Sequence, residues 1–420
     1  MKIHKIKGFA DLFVPESSTF TFMENKARSI FSSYGFTELR TPILEYTELF
    51  KRSIGEETDV VHKEMYTFSD EKGRSYSLRP EATAGVMRAF IENSIFNKES
   101  VSKLFTTGPM FRHERPQKGR FRQFHQINCE CLGADSPFCD AELICMLMFF
   151  LNNIGIKNTQ LQINSLGCPK CRPVFIDNLK QYLKQVSQED LCSDCQRRME
   201  TNPLRVFDCK QEKCKEIVKS APQISAFLCQ DCKEHFDVVL ELLQQQNVPY
   251  ILNPLLVRGL DYYCRTTFEV VSGEIGAQSA IAGGGRYDGL VAMLGGPEIP
   301  GIGFACGLER LALLLPEQTQ QGLDFYLLAL CPEAQKPGFS LAEELRGLGY
   351  HGLMNYTLAG FKSSMRQANK SGAKYCLILG SDELARAEIG LKNMQDGTQE
   401  QVKLADVVPF FQQHIAATGN

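Results

Sequence analysis

The order of apolar and polar segments predicts an α+β protein: a mainly antiparallel core, a small helical cysteine-rich insertion within it, and an α/β domain after it. Three observations lead there. β-prone runs at 74–80, 104–111, 121–132 and 266–271 are separated by long segments, as antiparallel pairing permits. Eight of the 16 cysteines fall between Cys168 and Cys232, and they fall in pairs. From residue 323 onward strands and helices alternate, which implies βαβ units and a largely parallel sheet. The expected divisions are 1–165 and 251–318 for the two parts of the core, 166–250 for the insertion and 323–420 for the C-terminal domain.

Each element has its own signal. Phe22, Ala27, Ile30 and Phe31 recur at helical spacing, so residues 17–34 read as a helix that stops at Gly35. Pro42 interrupts the β-prone run after it, which favours an edge strand or a strand boundary. Helices are expected near 81–92 and 140–153. The three glycines 283–285 let a backbone pass close to a ligand or another strand, although a tight turn is the plainer expectation. Residues 300–316 read as a glycine-spaced strand running into a helix, with Arg310 in its first turns. A Pro/Gln/Gly stretch at 313–322 suits a linker. Beyond it, strands are expected at 324–330, 350–356 and 373–379, and helices at 340–349 and 360–372.

Composition removes several classes of function. With 46 Lys+Arg against 49 Asp+Glu the net charge is −3, so no general basic field draws in nucleic acid. The content of 43% hydrophobic and 23% charged residues is that of an ordinary globular chain. The longest strongly apolar run, Leu143 to Leu151, is far short of the roughly 20 residues that span a bilayer. No membrane partner is expected. The N-terminus lacks the apolar run of a signal peptide, and the cytosol is the expected compartment.

The richest stretch is FRHERPQKGRFRQFHQINCE, 111–130, in which two β-prone arms flank a loop and Arg112, Arg115, Arg120 and Arg122 gather. Guanidinium forks suit phosphates and carboxylates; a solvated charged hairpin is the bland alternative. RGLDYY at 258–263 places Arg258 and Tyr263 at a loop-to-strand junction, a common position for site residues. Arg310, at the start of a helix, could meet an anion.

Together RPEAT at 79–83, the 111–126 stretch, RGLDYY at 258–263, GGGRYDGL at 283–290 and GFACGLERL at 303–311 closely resemble the histidyl-tRNA synthetases, class II aminoacyl-tRNA ligases. Order and spacing match over the whole chain. The resemblance implies the class II antiparallel catalytic core, an anticodon-binding C-terminal domain, and a homodimer with its interface near residues 17–46. It also implies the substrates L-histidine, ATP with Mg2+, and tRNA(His). In such enzymes a carboxylate that is already ionised attacks the α-phosphorus, so the protein positions reactants and neutralises charge. That explains a site rich in arginine.

The resemblance assigns residues as follows. Arg112 holds the α-phosphate, Arg120 and Arg310 hold the γ-phosphate of a bent ATP, and Glu114 and Phe124 face the adenine. Arg258 also approaches the α-phosphate and, with Arg112, is the expected catalytic residue. Glu81, Thr83, Gln126 and Tyr287 match positions that hold the ammonium group of histidine, and Glu130 and Tyr263 those that face the imidazole. Gln117 is a candidate for touching the acceptor end of tRNA. Lys362, Arg366 and Lys370, at helical spacing, could meet tRNA phosphates or form a solvated face.

The cysteines are a local matter that the resemblance does not cover. Cys168/Cys171, Cys192/Cys195 and Cys229/Cys232 are CxxC pairs, and Cys209/Cys214 makes a fourth pair with wider spacing. Two pairs can close a tetrahedral site, so eight ligands could hold two structural zinc ions; reduced cysteines packing a helical insertion are the other reading. Two rival functions stand beside the ligase. A regulatory paralogue acts as a subunit of ATP phosphoribosyltransferase, but such proteins tend to lose the catalytic arginines and the anticodon-binding domain. A zinc-ribbon nucleic-acid adaptor would explain the cysteines only.

Overall fold

The first helix forms where periodicity places it, at Glu16–Ser33, and buries Phe20, Met23, Ala27, Ile30 and Phe31. It stops as Gly35 turns to a φ of +81°. In this computed structural model, which describes residues 2–55, 58–276, 280–316 and 322–415, the chain divides into two units, Met1–Gln318 and Thr319–Asn420. The linker expected at 313–322 lies, from 317 to 321, outside the described residues.

An eight-stranded sheet carries the first unit, in the order Thr37–Glu38, Ser102–Phe111, Gln123–Leu132, Gly301–Gly307, Ala280–Arg286, Cys264–Val271, Gln160–Ser165 and Tyr250–Leu252. Its six central strands pair antiparallel, and only the two edge strands pair parallel. Helix Pro137–Asn153 covers one face, burying Leu143, Ile144, Leu147 and Phe150 with Phe31, Phe105, Phe268 and Phe304. The hairpin register sets Phe111 opposite Gln123, and the Arg112 amide donates to the Arg122 carbonyl just beyond the strand ends, at 2.9 Å.

The glycine run corrects the expectation of a turn. Residues 283–285 lie inside the central strand Ala280–Arg286. A Cβ at Gly284 would strike the Gly303 carbonyl and the backbone of Phe304, and one at Gly283 would strike the Arg258 guanidinium. Glycine is needed there for close approach in a sheet, and without side chains it shows no alternation in the sequence.

The chain leaves the sheet at Ser165 and returns at Tyr250, and the two strands at this junction are parallel neighbours. Between them lie helices Arg172–Gln185, Ser193–Thr201, Glu212–Lys219 and Gln230–Gln245. The first three share a small apolar cluster with Phe175, Leu179, Met199 and Val218. The fourth instead delivers Val239 and Leu243 to the main core, and its His235 Nε2 meets Asp140 Oδ2 at 2.9 Å. Asp140 also binds buried Arg286, so that arginine ties strand to helices.

The second unit has a five-stranded sheet in the order Gly352–Met354, Phe325–Ala329, Tyr375–Leu379, Glu388–Asn393 and Gln399–Lys403. The first three are parallel, as expected. The last two add an antiparallel hairpin that the sequence reading missed, although Asp396-Gly397, with Gly397 at φ +79°, is a hairpin signal. The helix expected at 340–349 begins earlier, at Pro332, where proline suits the first turn, and it runs on through Pro337 to Gly347. No helix among the described residues is long and apolar enough to cross a membrane.

Candidate active site

Two adjoining chambers open on one end of the sheet in the first unit. The outer, about 450 Å³, is lined by Arg112, Glu114, Arg120, Phe124, Arg258 and Arg310 among others. The inner, about 150 Å³, is lined by Glu81, Thr83, Glu130, Tyr262, Tyr263 and Tyr287. Arg112, Gln126, Arg258 and Gly283 line both, and so stand at the junction. Every residue expected at the histidine or ATP site therefore lines one of the two chambers, whereas Arg115, Gln117 and Arg122 line neither and Lys362, Arg366 and Lys370 belong to the second unit.

In the outer chamber the arginines are held by fixed partners. Arg112 Nε donates to the Pro80 carbonyl at 2.9 Å, and its guanidinium lies 5.4 Å from the Phe124 ring centroid, a cation–π distance. Arg120 Nη1 donates to Glu114 Oε2 at 2.7 Å, and Arg310 Nη1 to the Ala280 carbonyl at 2.6 Å. Burial, then the positive charge of Arg120, lowers the Arg310 pKa below the ordinary arginine value, so an arriving anion relieves a repulsion. Burial also opposes the charge on Arg258, but the ion pair with Glu269 outweighs it and raises that pKa. The buried Nε of Arg258 and Oε1 of Gln126 have no hydrogen-bond partner. Buried polar atoms without partners at a cavity junction are suited to a ligand.

The inner chamber is built differently. Glu81 accepts the amides of Thr83 at 2.7 Å and Ala84 at 2.9 Å, at the start of helix Thr83–Glu92. Glu130 sits third from the end of its strand, opposite Leu104 and Gly303, where it accepts the Thr83 hydroxyl at 2.7 Å and is bonded by the Tyr287 hydroxyl. Burial pushes the Glu130 carboxyl up to about 8, against the pull of Tyr287 and Thr83, with Glu81 adding to the rise. Glu81 is likewise raised, chiefly by burial. Gly303 makes the room: a Cβ there would collide with the Glu130 carboxylate. Thr83 and Tyr287, expected at the ammonium group, here bind Glu130, so the two sets of histidine contacts form one network.

The eight cysteines gather as two groups, Cys168/Cys171/Cys229/Cys232 and Cys192/Cys195/Cys209/Cys214, each with its sulfur atoms within 4.8 Å of one another. Sulfur separations of 3.7 Å for Cys168–Cys171, Cys168–Cys229 and Cys192–Cys209, and 3.9 Å for Cys171–Cys232, are far from a disulfide. They match the edge of about 3.8 Å that a tetrahedron with metal–sulfur bonds of about 2.3 Å must have. Backbone amides also point at the sulfurs: Cys168 N to Cys171 Sγ at 3.1 Å and Cys192 N to Cys214 Sγ at 3.3 Å. Gly167, at φ +63°, leaves space that a Cβ would take from Cys171 Sγ. The donor set fits a metal ion.

Sequence reading missed three kinds of residue here. Glu269 on strand Cys264–Val271 pairs with Arg258, and only the inward alternation of that strand could have flagged it. Asp208 and Lys210, from the cysteine-rich segment, line the outer chamber. Buried Arg79 anchors the site's entrance strands through the Pro109 carbonyl at 2.9 Å and Thr41 Oγ1 at 3.0 Å.

An antiparallel sheet that carries an arginine-lined chamber beside a small polar pocket agrees with the class II aminoacyl-tRNA synthetase core that the sequence resemblance implies. Comparison with known proteins narrows the class. A family model for histidyl-tRNA synthetase matches residues 8–311, and one for an anticodon binding domain matches residues 325–414. The chain is 59% identical over 401 residues to the histidine–tRNA ligase of Nitratidesulfovibrio vulgaris strain DP4, covering 96% of each. It is 59% identical over 410 residues to that of Oleidesulfovibrio alaskensis, covering 97% of this chain and 98% of the relative. The crystal structure of apo S. aureus histidyl-tRNA synthetase matches with a TM-score of 0.83 at 34% identity, covering 98% of this chain and all of that one. The chain belongs to the histidyl-tRNA synthetase family.

Proposed function

We propose that this protein is a histidine–tRNA ligase that activates L-histidine with ATP, releasing pyrophosphate, and passes the histidyl group to the 3′ end of tRNA(His). The observation that carries this reading is the junction of the two chambers at Arg112, Gln126 and Arg258. Histidine in the inner chamber and ATP in the outer would meet there, carboxylate to α-phosphorus. A bond forms between a carboxylate oxygen and the α-phosphorus, and the bond to the bridging oxygen of pyrophosphate breaks. Arg258 and Arg112 take up the charge that spreads over the α-phosphate oxygens. Arg120 and Arg310 bind the outer phosphates, Phe124 and Glu114 face the adenine, and Mg2+ enters with ATP as its complex.

In the inner chamber Glu81 and Gln126, with Thr83 and Tyr287, orient the ammonium group, while Glu130 and Tyr263 read the imidazole. A buried carboxyl and phenol facing one ring reject side chains that leave them unpaired. We read 1–165 and 251–318 as one catalytic core interrupted at 166–250, with 323–420 as the anticodon-binding part. The exposed Lys362, Arg366 and Lys370 on helix Phe361–Ser371 are our candidates for anticodon-side phosphates, and Gln117 for the acceptor end. Exposed Ile43, Leu44, Tyr46 and Phe68 suit a homodimer seam near the first helix. We place the protein in the cytosol. The two Cys₄ groups are read as structural zinc sites: two zinc per chain are expected in freshly purified protein, and well under one removes that assignment.

The test is charging with labelled histidine, MgATP and tRNA(His), beside a tRNA of another specificity. Label is expected in tRNA(His) alone. Folded protein that charges neither would favour the regulatory paralogue, for which binding to a phosphoribosyltransferase is the next assay; the nearly full-length identity to named ligases supports the enzyme.

A further inference from the structure

The substrate loop 258–263 is gripped from outside by the cysteine-rich segment. Arg172 donates through Nη2 to the Tyr263 carbonyl at 2.5 Å, while its Nε holds the Leu166 carbonyl at 3.0 Å. Arg205 donates through Nη2 to the Gly259 carbonyl at 2.6 Å and through Nε to Asp261 Oδ1 at 3.1 Å. One guanidinium thus holds each end of the loop that presents Arg258 and Tyr263 to the chambers. The loop needs such support, because Arg265 just beyond it adopts a left-handed φ of 45°, which non-glycine residues disfavour.

Each of these arginines is tied to a different cysteine group. Arg172 follows Cys171 directly and opens the helix Arg172–Gln185. Arg205 lies on the short helical segment Pro203–Asp208, which ends at Cys209. The apolar cluster around them is small, with Phe175, Leu179, Met199, Val206 and Val218 as its larger members, and a segment of that size draws much of its order from metal.

We propose that the two Cys₄ sites set the geometry of the histidine pocket through Arg172 and Arg205, which act as positioning residues for loop 258–263. The proposal rests on the metal and histidine-pocket readings above. It makes metal content a determinant of histidine affinity, although the cysteine sulfurs line neither chamber.

The experiment compares the full-length protein with Arg172→Ala, Arg172→Lys, Arg205→Ala and Arg205→Lys. Zinc per chain, circular dichroism, and KM and kcat for histidine and for ATP in pyrophosphate exchange are measured on each. The alanine variants are expected to keep their zinc and to raise the histidine KM about tenfold or more, the scale of a lost charged hydrogen bond, with smaller changes in kcat. The lysine variants, which keep a donor on a long stem, should recover part of the loss and serve where an alanine variant does not fold. Chelation of zinc from wild type, followed by calorimetric titration with histidine, should weaken binding, and should weaken it further by little in the Arg172→Ala/Arg205→Ala double variant. Folded, zinc-loaded variants with wild-type histidine KM would overturn the proposal. Zinc-free wild-type protein with normal histidine affinity would overturn its metal half, while the arginine variants still decide the clamp. Loss of exchange activity with histidine in wild type would instead refute the histidine-pocket reading itself.

Discussion

The two chambers solve different problems with different chemistry. The outer one is the larger and is built of guanidinium groups, each pinned by a carboxylate or a carbonyl. The inner one is smaller, holds two buried carboxyls raised above their usual range, and is walled by three tyrosines packed ring to ring, with Tyr262 and Tyr263 centroids 4.6 Å apart. A nucleotide brings several negative charges, so its chamber needs matching positive charge and some freedom. An amino acid must be told from its rivals, so its pocket needs buried groups that are costly to leave unpaired.

Variants on either side can break this contrast. The largest effect is expected from the junction: Arg112→Ala should cut kcat for pyrophosphate exchange by about 10²- to 10³-fold, the usual loss for one transition-state donor in a closed site. A loss confined to ATP KM would show that Arg112 only binds. Next, Glu130→Gln should lower kcat/KM for histidine by about 10²-fold and leave the ATP KM near wild type, since only the inner chamber is altered. Steady-state kinetics with each substrate varied in turn separate these two outcomes.

The same variant has an opposite effect on stability. With a folded-state value of about 8 against roughly 4.3 unfolded, neutral Glu130 favours the folded chain, and that contribution is lost as pH rises from about 4.5 through 8. Glutamine cannot ionise. The melting temperature of Glu130→Gln relative to wild type should therefore climb between pH 5 and pH 8.5, and a difference that stays flat would mean Glu130 is not buried as a neutral acid.

Smaller effects probe shape. Gly303→Ala places a methyl group against the Glu130 carboxylate, so about a tenfold rise in histidine KM is expected, with about 1–3 kcal/mol of lost stability from overpacking. Denaturant melts and histidine kinetics measure the two parts. Phe124→Leu removes the aromatic face beneath Arg112 and should raise ATP KM several-fold, on the scale of a stacking or cation–π contact of about 1 kcal/mol, without touching histidine KM. An equal rise in both would blur the division between the chambers.

What the sequence disclosed follows the same division. The outer chamber was half legible: arginines clustered on a β-prone hairpin pointed to anions, but a solvated charged hairpin stood beside that reading until the family resemblance assigned Arg112, Arg120, Arg258 and Arg310. Glu130 was not readable by local pattern, since a single carboxylate within INCECL could as well end a strand; the family resemblance alone singled it out. The glycine strand was mistaken for a turn because residues without side chains carry no alternation. The edge strand Tyr250–Leu252 and its neighbour Gln160–Ser165 were missed because their pairing spans the whole cysteine-rich segment. Arg172 and Arg205 had no signal at all, as the loop atoms they hold, the Tyr263 and Gly259 carbonyls and the Asp261 carboxylate, lie more than 50 residues along the chain.

The central claim is that histidine and ATP meet at Arg258, and histidine-dependent ATP–pyrophosphate exchange on wild type beside Arg258→Ala tests it most directly. Exchange that requires histidine, is not supported by other amino acids, and falls by orders of magnitude in kcat in the variant is the predicted result. Wild-type exchange that ignores histidine, or a folded variant that exchanges at the wild-type rate, would contradict it.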